Sequence, residues 1–170
     1  MSASEKLAEA RFFLELLDAL ESRNSPLTRD ATCEKEASYL LSAILNALYS
    51  ALEQVKPIVG VDAVKKYKDE NTSIFKGKGG LRNITVHDRH VSPDFSGYIP
   101  PAPNAVNFDM RAKPKLIEEV EKLIPDGVIK VTLGPNHYVD LGAGLKDLTE
   151  LCFEQFYRLR EFLRYHEVIT

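Results

Sequence analysis

Cysteine is scarce: only Cys33 and Cys152 occur in 170 residues. They stand far apart among helix-forming neighbours, which excludes a disulfide framework and a Cys-x-x-Cys metal knuckle and predicts two buried thiols. Long apolar runs are missing too. Nothing approaches the roughly 18–20 residues a membrane helix needs, and MSASEKLAEARFF lacks a basic stretch followed by an apolar one, so a cytoplasmic protein with no membrane partner is expected. A basic surplus is also absent. Twenty-two Lys and Arg against 25 Asp and Glu give a net charge of −3, which argues against a protein that coats nucleic acid regardless of sequence. No internal repeat or low-complexity tract is present. The run Lys76-Gly77-Lys78-Gly79-Gly80 lacks the Gly-x4-Gly-Lys-Ser/Thr order and follows no predicted strand, so it reads as a hinge rather than a nucleotide loop.

What remains is ordinary globular material, 44% hydrophobic and 28% charged, enough for one core in a single domain spanning 1–170. The charge is unevenly distributed. From Lys65 to His90 seven basic residues face three acids, so this segment carries +4 and the rest −7. Residues 5–22 show a broad apolar surface, with Leu7, Ala10, Phe13, Leu14 and Leu17 on one stripe and Phe12, Leu16 and Leu20 beside it, which predicts a helix covered by more than one neighbour. A second helix is predicted from Thr32 to Val55, with Ala37, Leu40, Leu41, Ile44, Leu45, Leu48, Leu52 and Val55 recurring at three and four, and Pro57 marking its end or a kink. A shorter helix over 61–69 and another over 81–91 follow. The last, over 144–166, carries Leu145, Leu148, Leu151, Cys152, Phe156, Leu159, Phe162 and Leu163.

Between them, residues 92–142 read as an insert. SPDFSGYIPPAPN suggests an extended arm, KPKLIEEVEKLI an amphipathic helix, and GVIKVTLGPNHYVDL two strands joined by a Gly-Pro-Asn turn. The fold class expected is mainly α: a helical bundle built from both ends of the chain, with a small strand–helix–hairpin, α+β element inserted before the last helix.

The chemistry concentrates in GLRNITVHDRH. On a helix Arg82 and His87 lie about 140° apart around the axis and about 7.5 Å along it. Asn83, His87 and His90 share a stripe, so Asn83 is placed to fix the tautomer of His87. Arg82 has the reach to approach the same ligand, and its planar fork suits phosphate oxygens. A base or acid near neutral pH beside a fixed cation is what in-line cleavage of an RNA phosphodiester requires. A second histidine for the leaving group would come from the other copy in a two-fold dimer.

RNITVH resembles the Arg-x4-6-His signature of the HEPN superfamily, in which asparagine often follows the arginine, as Asn83 does here. Its placement after two long helices and before the final one is similar as well. The resemblance implies an antiparallel helical bundle, a homodimer joined near the motif, and a metal-independent endoribonuclease that leaves a 2′,3′-cyclic phosphate and needs no cofactor. Arg82 would be the transition-state cation, His87 the catalytic imidazole and Asn83 the orienting amide. Lys76, Lys78, Arg89 and His90 would contact the RNA. It also implies company among toxin–antitoxin and defence systems, with an antitoxin or other protein as partner. One departure is Arg89, where the minimal toxins of the superfamily carry a tyrosine.

Competing readings attach to the same residues. Arg82 and His87 would form a surface or interface salt-bridge cluster with Asp88, or the architecture would serve a non-catalytic dimeric module that grips a nucleotide or a partner's phosphate. His87 and His90 with Asp94 would be a metal set short of further ligands. Phe153, Tyr157 and Tyr165 read as core or dimer interface before base-stacking platforms. His137, in a predicted turn, reads as structural or exposed, and His166 lies near a fraying end.

Overall fold

The computed structural model describes residues 2–23, 25–75, 80–85, 94–95, 120–124, 127–131, 137–140 and 145–169. Along the chain these form α1 (Ala3–Arg23), α2 (Cys33–Val59), α3 (Val61–Glu70), α4 (Thr72–Phe75), α5 (Leu81–Asn83), β1 (Asp94–Phe95), β2 (Val120–Ile124), β3 (Gly127–Val131), β4 (His137–Asp140), β5 (Leu145–Asp147) and α6 (Leu148–Tyr165). The protein is mainly helical, as its periodicity predicts. No described helix is long and apolar enough to cross a membrane.

The core lies where α1, α2 and α6 meet. Leu7, Ala10, Leu14, Leu17 and Leu20 of α1 are buried against Leu41, Ile44, Leu45, Leu48 and Leu52 of α2 and Leu148, Leu151, Leu159 and Leu163 of α6. Each set repeats at three and four residues, so burying one face of each helix removes nearly every large aliphatic from water. The second α1 stripe is shallower than its composition suggests: Leu16 is half-buried and Phe12 is 57% exposed.

The helix boundaries have local causes. Thr32 caps α2, its Oγ1 accepting from the Lys35 backbone N–H at 3.4 Å. Pro57 does not end that helix, which runs on to Val59. The stop comes at Gly60, whose φ of +90° separates α2 from α3 and favours a residue without Cβ. Asp147 caps α6 through Oδ1, which accepts from Glu150 N–H at 2.8 Å. At the far end Val168 N–H bonds Leu163 C=O and Glu167 N–H bonds Arg164 C=O, a Schellman closure with Glu167 at φ +56°. Val168 and Ile169 then pack on the core, so these two residues are held rather than frayed.

The insert departs from expectation. Residues 120–124, read as the end of an amphipathic helix, are strand β2, antiparallel to β3 with Ile124 opposite Gly127 and Val120 opposite Val131. The second expected strand, β4, does not return along β3. It pairs with β1 on one side and β5 on the other, and β5 occupies 145–147, where the last helix was expected to have begun. Pairing chosen by tertiary partners has overridden local propensity in both places.

β4 is fastened to the helices by a buried polar knot. Glu21 Oε1 accepts from the His137 backbone N–H at 3.0 Å and lies 3.1 Å from His137 Nδ1, while Glu21 Oε2 accepts from Thr149 Oγ1 at 2.6 Å. All three residues are buried. His137 is therefore neither exposed nor in a turn: it joins strand β4 to α1, with α6 supplying the third member.

Candidate functional site

Arg82 and Asn83 are set by a single turn of helix. Gly80 C=O accepts from Asn83 N–H at 2.9 Å and from Ile84 N–H at 3.1 Å, Leu81 is buried in the core, and Thr85 Oγ1 donates to Arg82 C=O at 2.9 Å. Helix α5 ends at Asn83 and a π-type turn follows at 84–85. Residues 81–85 are helical, as expected over 81–91, and the remainder of that stretch lies outside the described residues. His87, Arg89 and His90, together with Lys76 and Lys78, lie outside the described residues.

The Arg82 side chain points to α2. Its guanidinium carbon sits 4.1 Å from the centre of the Tyr49 ring, within the range where a cation is drawn to the negative face of the π system. Arg82 Nη1 donates to Asn83 Oδ1 at 3.1 Å. The amide expected to orient an imidazole accepts from the neighbouring guanidinium. Arg82 Nε is buried without a hydrogen-bond partner among the described residues.

Tyr49 carries a second cation. Lys68 Nζ, from α3, is likewise 4.1 Å from the same ring centre, so the two charges are at most twice that distance apart. Lys68 also donates to Glu53 Oε1 at 2.5 Å, and Lys56 reaches Glu53 Oε2 at 3.4 Å. Hydrogen bonding from Lys68 holds the Glu53 carboxyl below its usual range, against a smaller opposing effect of burial. Two cations therefore share one carboxylate and a third, Arg82, lies on the same ring as Lys68, leaving local positive charge in a corner where Tyr49, Lys68, Arg82 and Asn83 are all partly open to solvent. The sequence held a signal for this that composition alone did not expose: Tyr49, Glu53 and Lys56 recur at i, i+4 and i+7, one stripe on the flank of α2.

The other candidates fall elsewhere. Cys152 is buried and Cys33 half-buried, both as free thiols. Burial pushes the thiols of both upwards, helped by Glu21 and Asp147 at Cys152 and by Glu34 and Glu36 at Cys33, so neither is an activated nucleophile. No group of three or more His, Cys, Asp or Glu among the described residues is placed to hold a metal. Phe153 and Phe156 line a groove of about 500 Å³ between α1 and α6 with Leu7 and Arg11, at whose rim Tyr157 is half-exposed. Tyr165 is 83% exposed and meets the His166 ring edge-on at 5.1 Å.

An acid staple lies away from the basic corner. Glu36 accepts from Leu27 N–H at 2.6 Å, Thr28 N–H at 2.7 Å and Thr28 Oγ1 at 2.6 Å. Burial pushes its carboxyl up, but these three bonds prevail and hold it below its ordinary value. The Asn71 side chain, at the end of α3, donates to Tyr67 C=O and accepts from Arg158 of α6 at 3.1 Å. Both serve the fold. No protein-family model, curated protein or solved structure matches this chain.

Proposed function

We propose that this chain is a metal-independent endoribonuclease of HEPN type, a homodimeric helical protein that acts as a toxin or defence effector. The observation that carries the reading is the setting of Arg82: a guanidinium held by a ring face and a side-chain amide, with donor capacity left over, in the positive corner of a chain whose net charge is negative. Such a group stabilises the charge that develops on phosphoryl oxygens without reorganising at the moment of reaction.

The chemistry needs no group beyond the chain and its copy. His87 takes the proton of the ribose 2′-hydroxyl, and that oxygen attacks the adjacent phosphorus. The partner subunit's His87 protonates the departing 5′-oxygen, so one product ends in a 2′,3′-cyclic phosphate and the other in a 5′-hydroxyl. Arg82 supplies the cation, Asn83 orients, and Lys76, Lys78, Arg89 and His90 hold the strand.

Purified protein incubated with mixed RNA in EDTA tests this. Cleavage is expected in chelator, falling about 10²–10³-fold in Arg82→Ala and about 10²–10⁴-fold in His87→Ala, with unchanged melting of the His87 variant. No cleavage by the unaltered protein would overturn the nuclease. Retained oligonucleotide binding in that case favours a non-catalytic module that grips phosphate, and activity restored only by added metal favours a metallohydrolase. Toxicity on expression, relieved by His87→Ala, is the expected cellular counterpart.

A further inference from the structure

Several charged side chains on the helices have ordinary partners one turn away. Arg11 pairs with Glu15, Arg158 with Glu154, and Arg164 with Glu161. Exposed pairs of this kind contribute little and bind nothing. The corner at Tyr49 is built differently. Two cations from different elements, Lys68 of α3 and Arg82 of α5, converge on one aromatic ring of α2. Like charges brought this close repel, and the arrangement persists because the ring face attracts both and because Glu53 offsets part of the charge.

We propose that Tyr49 is a positioning residue that seats Arg82 and Lys68 together as a two-cation receptor for the phosphodiester backbone of single-stranded RNA, with Lys68 taking the phosphate next to the one that Arg82 engages. The inference rests on the nuclease reading for its ligand and adds Lys68 and Tyr49 to the residues that bind it. The shared ring keeps the two cations within twice 4.1 Å of each other, close enough to meet neighbouring phosphates of one strand. Lys68 retains two ammonium protons beyond the one given to Glu53, and it is only partly exposed, 20% for its side chain. Its position is fixed before a ligand arrives, so little freedom is lost on binding. Glu53 then has a definite part: it holds Lys68 in place in the empty site and leaves Lys56 as a reserve of positive charge at 3.4 Å.

The test uses a fluorescent 2′-O-methyl oligoribonucleotide, which lacks the attacking hydroxyl and reports binding apart from chemistry. Affinity is measured over a series of salt concentrations, with thermal melting of every variant. Lys68→Gln is expected to weaken binding and to flatten the log–log salt dependence by about 0.7, the value for one phosphate contact on a single strand. Tyr49→Leu is expected to flatten it at least as much, and Tyr49→Phe, which keeps the ring face, to restore the unaltered slope. Because Lys68→Gln changes a partly exposed side chain, it stays informative should Tyr49→Leu fail to fold. If the protein cleaves RNA while Lys68→Gln and Tyr49→Leu bind with the original affinity and slope, the receptor is refuted and the nuclease stands. If the oligonucleotide binds with the expected dependence on Lys68 and Tyr49 but ordinary RNA is never cut, the nuclease is refuted and the receptor stands. A protein that neither binds nor cleaves loses both.

Discussion

Two polar clusters in this molecule are built on opposite plans. At the Glu21 knot, an acid, an imidazole and a hydroxyl are buried and turned towards one another, and their bonds join α1, β4 and α6. At the Tyr49 corner, cations from α3 and α5 lean on a ring of α2, half in solvent, and Arg82 Nε has no partner among the described residues. The first arrangement turns its hydrogen bonds inward and holds the fold. The second holds its charges still without consuming them, which is what a binding site requires.

The contrast can be broken in graded steps. Glu21→Ala should have the largest effect on stability. It strips the acceptor from Thr149 and from the His137 backbone and side chain, with an expected loss of about 3 kcal/mol in denaturant unfolding. RNA affinity per folded molecule should be unchanged if the two clusters are as separate in function as in design. Glu36→Ala should follow at about 2 kcal/mol, for the donors of Leu27 and Thr28.

Glu36 also gives a pH signature. Its folded value is lowered from 4.5, so the stabilisation is complete above that pH and disappears as acid takes the solution down through the lowered value. Glu36→Gln should remove that part of the acid sensitivity, read as a shallower fall in melting temperature below about pH 4.5.

Gly60→Ala sharpens the comparison from another side, because Gly60 links the helix that carries Tyr49 to the helix that carries Lys68. A side chain there meets no atom within 4 Å, so the cost is the backbone strain of φ +90°, about 1–2 kcal/mol. Any shift of α3 should also appear as weaker oligonucleotide binding. The smallest effect is a gain: Glu167→Gly relieves the left-handed position that closes α6 and should raise stability by about 0.5–1 kcal/mol in thermal melts, leaving binding alone.

Much of the fold is legible in the chain because helices α1, α2 and α6 are encoded locally, by aliphatics repeated at three and four. The strands were harder. EEVEKL satisfies a helical pattern and an alternating one alike, and the pairing of Val120–Ile124 with Gly127–Val131 decides between them. A clue was present in Pro125-Asp126-Gly127, a sequence suited to a turn between two apolar runs. Of the candidate site, the arginine and asparagine of the motif stood out as neighbours, and their hydrogen bond follows from adjacency. Tyr49 did not stand out, since it belongs to a helix far away in sequence and only packing brings its ring beneath Arg82. Glu21 was visible in a weaker sense: it continues the stripe of Leu14 and Leu17 by one more helical step, a carboxylate where an aliphatic was due.

The cysteine pair gives the protein a built-in gauge of its own opening. Cys152 is sealed at the centre of the bundle, its ionisation suppressed by burial and two nearby carboxylates, whereas Cys33 stands at the first turn of α2 within partial reach of solvent. An alkylating reagent should therefore mark Cys33 in the closed molecule and reach Cys152 only during excursions that part α6 from α1 and α2. Mass spectrometry of the two peptides over time would convert that difference into an opening rate, with no dye or engineered label to perturb what is being timed.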